Sequence, residues 1–215
     1  MAHVDDDEPL SVVDATGRSE GELGRSEVHR QGLWHEVFHC LLVRTGLPTR
    51  VILQRRRSQA RSFPGRLDLS ATGHLAAGEK PLDGRRELRE ELGIDVAPDA
   101  LRYLGARLMA DDAGEGRNRE RTHVFLLSDD RPLSEFRLDP NEVGGLVELA
   151  AADLLLMLQD PEAVVPCSDI TTEIGAQQRD STCQRADLVP AVDGYWTVLA
   201  VMADRFVRGQ SPLAI

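Results

Sequence analysis

Apolar and polar positions fall into short blocks of strand length, separated by glycine- and proline-rich breaks. Trp34 to Val43 is rich in apolar residues and predicts a strand. Gly46-Leu47-Pro48 ends it, and Arg50 to Gln54 reads as its hairpin partner. Leu10 to Val13, followed by Asp14-Ala15-Thr16-Gly17 and a polar segment, predicts a strand and a tight turn near the domain edge. Leu67 to Thr72, Leu101 to Met109 and Thr122 to Leu127 are further strands; an acidic, glycine-rich loop at 111–116 separates the last two. Helical patterning covers Pro81 to Leu92, with proline suited to the first turn, then Asp139 to Val143 and Ala150 to Gln159. It returns in Tyr195 to Phe206, where Trp196, Leu199, Ala200, Met202, Ala203 and Phe206 recur at helical spacing. Residues 160–190 read as irregular. Residues 1–8 are acidic and poor in apolar side chains, and read as a disordered tail. The remainder, 9–215, reads as one domain with a carboxy-terminal helix at 192–208.

Within the predicted helix ending at Leu92, Glu87, Glu90 and Glu91 stand at i, i+3 and i+4 and share one face. Three carboxylates held together repel one another unless a cation lies among them, and hard divalent ions take oxygen ligands. Leu88 and Leu92 point elsewhere and can anchor the helix in a core, while Gly93 suits its end. Thirteen positions before Arg86 stands Gly73, opening Gly73-His74-Leu75-Ala76-Ala77-Gly78-Glu79.

The formal net charge of −11 argues against nucleic-acid binding through a positive surface. Arg50, Arg55, Arg56, Arg57, Arg61 and Arg66 nevertheless cluster just before Gly73, and arginine suits phosphate recognition. No apolar run approaches the roughly 18 to 20 residues that cross a membrane. The acidic amino terminus lacks the features of a signal peptide, so a cytoplasmic location is expected. Cys40, Cys167 and Cys183 are widely spaced, form no C-x-x-C pair and read as reduced thiols.

Gly73, Glu79, Arg86, Glu87, Leu88, Glu90, Glu91, Gly93 and Ile94 together resemble the Nudix box, G-x5-E-x7-R-E-U-x-E-E-x-G-U, with U aliphatic. Glu79 and Arg86 are separated by six residues, Lys80 to Arg85, where the pattern has seven. That departure bears on the Glu79 contact and leaves the metal-binding half intact. The resemblance implies an α/β (α+β) fold, the Nudix-type α-β-α sandwich with a mixed central sheet. It implies attack of water on a diphosphate linked to a moiety X, with Mg²⁺ as cofactor and Mn²⁺ as its substitute. Glu87, Glu90 and Glu91 become the metal ligands, and Glu87 and Glu90 the catalytic glutamates. The base is either a box glutamate (Glu87 serving as ligand or base) or a carboxylate of a nearby loop, and Arg86 orients the carboxylates. Gly73 permits close backbone approach; His74, Arg55 and Arg66 become substrate contacts. A small diphosphate is the expected partner, with no nucleic acid or membrane, for a monomer or homodimer.

Trp34-His35, Phe63-Pro64-Gly65, Gly73-His74 and Asn118-Arg119-Glu120 are similar to the isopentenyl-diphosphate-isomerase-like branch. On that match Glu120 is the first choice for a further metal ligand and Glu142 the second, the latter equally readable as a helix N-terminal partner. Isomerases of that branch use histidine ligands, which His35 and His74 match, and His29 less well. They also need a cysteine before the Gly-His pair. Thr72 stands there, and its hydroxyl is far too weak an acid to replace a thiol. A hydrolase is therefore expected; an isomerase and a non-catalytic nucleotide sensor are the alternatives. A coenzyme A pyrophosphatase matches poorly, because Arg66 replaces a glycine of that group.

Overall fold

A computed structural model describes residues 8–111, 117–172, 178–191 and 193–215. Residues 1–7 of the expected tail at 1–8, and loop residues 112–116, therefore lie outside the described residues. Five strands lie close to where the pattern places them: β1 (Pro9–Val13), β3 (Trp34–Val43), β4 (Arg50–Arg56), β7 (Arg102–Asp111) and β8 (Asn118–Ser128). The expected strand from Leu67 splits into β5 (Leu67–Asp68) and β6 (Ala71–His74). The polar segment after β1 contains β2 (Ser19–Gly24) and α1 (Arg25–Gln31). The acidic helix α2 (Arg86–Leu92) follows a 3-10 turn at Asp83–Arg85.

Two expectations fail in the second half. Asp139 to Glu142 forms a turn, not a helix, and β9 (Val143–Ala150) follows it, leading into α3 (Ala151–Gln159). The stretch read as irregular holds β10 (Val164–Thr171) and β11 (Arg179–Gln184), an antiparallel pair that extends the sheet beyond β9. Helix α4 (Tyr195–Val207) is where helical spacing placed it.

The main sheet path is β11-β10-β9-β4-β3-β1-β2, with β5 against β4, β6 and β8 against β3, and β7 against β8. The β3–β8 pairing is parallel and the other named pairings are antiparallel, so the sheet is mixed. Its central strands are covered on both faces, which explains the near-continuous apolar run of β3. Leu41 and Val43 join Val51, Leu53, Val124 and Leu126 on one face, under Leu154, Met157, Trp196 and Leu199 of α3 and α4. Phe38, Cys40 and Leu42 join Ile52, Phe125 and Leu127 on the other, under Leu88 and Leu92 of α2. This is the helix–sheet–helix sandwich expected from the sequence.

Candidate active site

The site is built where α2 crosses the end of β6. Alternation along β6 puts Ala71 in the α2-side core, and Gly73, two residues on, shares that side. A Cβ at Gly73 would lie 2.0 Å from Oε1 of Glu87, so only glycine lets the helix carboxylate settle there. Glu91, one turn later, accepts hydrogen bonds from Gln54 Nε2 at 2.9 Å and from the Thr72 backbone N–H at 3.2 Å. Glu142, exposed in the turn before β9, completes a set: Glu87, Glu91 and Glu142 each bring a carboxylate oxygen within 4.8 Å of the others. Glu87 and Glu91 are buried.

Arg86 organises this edge. It donates to Glu79 (2.9 and 3.3 Å), Glu87 (2.7 Å), Glu90 (3.1 Å) and the carbonyl oxygen of His74 (2.8 Å). Glu79 also accepts the Ala76 N–H at 2.8 Å, which ties the loop after β6 to the helix start. The short connection therefore preserves the Glu79 contact, because the Asp83–Arg85 turn takes up the chain closely and packs Gly84 on Phe38. Burial pushes the Glu87 carboxyl up to about 8 against the pull of Arg86, with Glu90 and Glu142 adding repulsion. Glu91 is raised well above the usual carboxylate range by burial and by Glu87. Two buried acids forced upward beside a third carboxylate form an arrangement that a divalent cation would relieve.

The NUDIX domain family model matches residues 33–166, which span this site and most of the sheet. The chain belongs to the Nudix family. Nudix hydrolases are enzymes acting on phosphoanhydride bonds, generally pyrophosphohydrolases, and they generally use divalent metals; this chain is a hydrolase of that family. An uncharacterised Nudix hydrolase of Clostridium acetobutylicum is 33% identical over 93% of this chain and 99% of its own length. An isopentenyl-diphosphate Delta-isomerase of Aliivibrio fischeri is 28% identical over 68% of this chain and 82% of its own. Among solved structures, DR0079 from Deinococcus radiodurans aligns with a TM-score of 0.55 and 24% identity, covering 73% of this chain and 91% of that one. That likeness supports the Nudix fold.

The Nudix helix does not bring every expected residue to one point. Glu87 and Glu91 meet, whereas Glu90 is exposed and pairs with Arg86 and Arg89. Glu120 lies outside the Glu87–Glu91–Glu142 set; it accepts from Asn118 Nδ2 at 2.7 Å and stands opposite His35 in the β3–β8 register. Arg55 lies 4.0 Å from Asp169 and donates to the Gly65 carbonyl. Arg66 closes the loop after β4, its carbonyl accepting the Arg56 N–H. Phe63 and Tyr103 are exposed.

A second cluster lies on the face of β6 turned away from α2. His29 of α1, His35 of β3 and His74 of β6 bring ring nitrogens within 4.8 Å of one another, with His29 Nε2 3.2 Å from His74 Nε2. Nε2 of His35 is buried and has no hydrogen-bond partner among the described residues. Burial and mutual repulsion push His29 down to about 4 and His74 well below the usual histidine range; His35 is lowered by burial and Arg25. Neutral imidazoles with an orphaned nitrogen between them fit a metal ion. The sequence pointed to His35 and His74 and, less well, to His29; the helix α1 that supplies His29 was hidden in a polar segment.

Proposed function

We propose that this chain is a Mg²⁺-dependent pyrophosphohydrolase that cleaves the diphosphate linkage of a nucleoside di- or triphosphate or a related small nucleotide derivative. The observation that carries the reading is the meeting of Glu87, Glu91 and Glu142, two of them buried and raised in pKa, at the strand edge where Gly73 admits the helix. Glu87, Glu91 and Glu142 would hold the ion, which supplies charge neutralisation of phosphate oxygens and an acidified water. Arg86 fixes the carboxylate of Glu87 and, through Glu79 and the His74 carbonyl, the loop that follows β6. Gln54 and the Thr72 N–H orient Glu91. Glu90, exposed at the helix rim and hydrogen-bonded to Arg86, has the solvent access that a proton-accepting group needs. His29, His35 and His74 would take a second ion through imidazole nitrogen.

That second cluster also favours a second reading, an isomerase of isoprenoid diphosphates, which the similarity to such enzymes brings with it. Thr72, in place of a thiol, weighs against it.

The test is phosphate and pyrophosphate release with Mg²⁺ over nucleotides, nucleotide sugars, dinucleotides, coenzyme A and isopentenyl diphosphate, for the wild type and Glu91→Gln. Turnover of a nucleotide class, reduced at least about 100-fold in the variant, is expected. Rearranged isopentenyl diphosphate without phosphate release would establish the isomerase instead. Silence across the panel would leave a sensor.

A further inference from the structure

The sheet face opposite α2 is covered over only part of its area. Near α3 and α4 its side chains are fully buried: Leu41, Leu53, Val124 and Leu126. Toward the other end of the same strands, Thr72 and His74 of β6, His39 of β3, Glu120 of β8 and Arg107 of β7 keep partial solvent access. Register places them together. His39 stands directly opposite Thr72, His35 opposite Glu120, and Arg107 opposite Thr122, and directly opposed residues share a face. Among the described residues, these hydrogen-bonding side chains therefore lie on that face without the full burial seen under α3 and α4.

Tyr195, the first residue of α4, lies against this group. Its hydroxyl lies 2.9 Å from Nδ1 of His39, the Arg107 guanidinium stacks 4.3 Å from its ring centroid, and Arg107 pairs with Asp193 at 2.9 Å. Arg107 and Tyr195 also border a pocket of about 320 Å³, completed by Asp193, Gly194, Val198 and Ile215. With one ring nitrogen held by Tyr195, Nε2 of His39 makes no hydrogen bond among the described residues. Strand β6 links this group to the hydrolytic edge: its backbone N–H at Thr72 bonds Glu91, while the Thr72 side chain faces His39.

We infer that His39, held by Tyr195, is the residue that reads X, and that X is a hydrogen-bonding moiety such as a nucleoside, not a hydrocarbon chain. The inference rests on the hydrolase reading only in placing the diphosphate at the Glu87–Glu91 edge. A neutral imidazole fixed at one nitrogen offers a directional contact at the other, and a group that leaves that nitrogen unpaired is disfavoured. Burial keeps the His39 pKa low, consistent with a neutral ring.

Calorimetric binding with Ca²⁺ as the cation tests this without turnover, using three probes with a common diphosphate: ADP, isopentenyl diphosphate and inorganic pyrophosphate. The wild type is expected to bind ADP at least tenfold more tightly than the other two. His39→Leu should erase that advantage while pyrophosphate affinity stays within threefold, and Tyr195→Phe should erode it in part. ADP binding no tighter than pyrophosphate, or an advantage untouched in His39→Leu, would overturn the inference. Should His39→Leu weaken all three probes alike, Tyr195→Phe decides: an ADP-selective loss supports His39 and a uniform one overturns it. Absence of hydrolysis in the turnover panel would count against the hydrolase and leave this binding result standing.

Discussion

Gly73 carries the tightest constraint in the site, because the space its side chain would fill holds the Glu87 carboxylate. Gly73→Ala must displace Glu87, and a displacement near 1 Å at a reacting centre costs about 100-fold in rate. We expect that loss in phosphate release, with a fall of only a few degrees in the thermal midpoint, because Gly73 is partly exposed at a strand end. Retained activity would mean that Glu87 can act from another position. The glutamates were legible in the sequence because i, i+3 and i+4 spacing is a local property of a helix. Glu142 could be ranked only second, since it joins Glu87 through the turn before β9, a tertiary event with no local signature. Glu120 illustrates the reverse. Its motif match is sound, yet β8 pairs in parallel with β3 and sets it opposite His35, on the sheet face away from α2.

At the scale of elements, strands buried on both faces announce themselves and those crowded by backbone do not. β3 reads from its apolar run, whereas β9 begins Val143-Gly144-Gly145 and resembles a loop. Those glycines serve the sheet: a Cβ at Gly145 would lie 2.2 Å from the Ile170 carbonyl oxygen, and one at Gly144 3.0 Å from that of Arg56. β10 and β11 are polar because they form the outer strands of the sheet path, with β10 covered mainly at Val165, Cys167, Asp169 and Ile170. The turn before α2 shows the same economy. Gly84 faces Phe38, with a Cβ there only 2.5 Å from that of the phenylalanine. Gly84→Val should overpack this contact and destabilise the protein by about 2 kcal/mol, read by urea denaturation. Divalent-ion affinity should change little, since Gly84 touches no carboxylate of the site. A loss of ion binding equal to that of a glutamate variant would show that the turn positions α2 directly.

For the whole molecule, the site stores electrostatic cost that an ion or a proton relieves, and this fixes how stability must vary with pH. Glu87 has a folded pKa of about 8 against an ordinary value of 4.5, and Glu91 is raised in the same direction. A raised acid binds its proton more tightly when folded. Its stabilising contribution is complete below pH 4.5 and is lost as pH rises through about 8. The three clustered histidines work in the opposite sense: their folded pKa values are depressed below 6.5, so their contribution is present above that value and lost as acid protonates them. Between pH 7 and 8.5 those histidines are largely neutral in both states, which leaves the glutamates to dominate. In that window, chelated protein should lose stability with rising pH, and Glu87→Gln should flatten the slope. Added Mg²⁺ should reverse it, raising the thermal midpoint more at pH 8.5 than at 7, because the ion competes with the proton for the same oxygens. Urea denaturation in chelator and thermal melts with Mg²⁺ at the two pH values measure both effects. A Mg²⁺ shift that is equal at the two pH values would separate the ion from these carboxylates and move its site to the imidazole cluster, whose members are already deprotonated there.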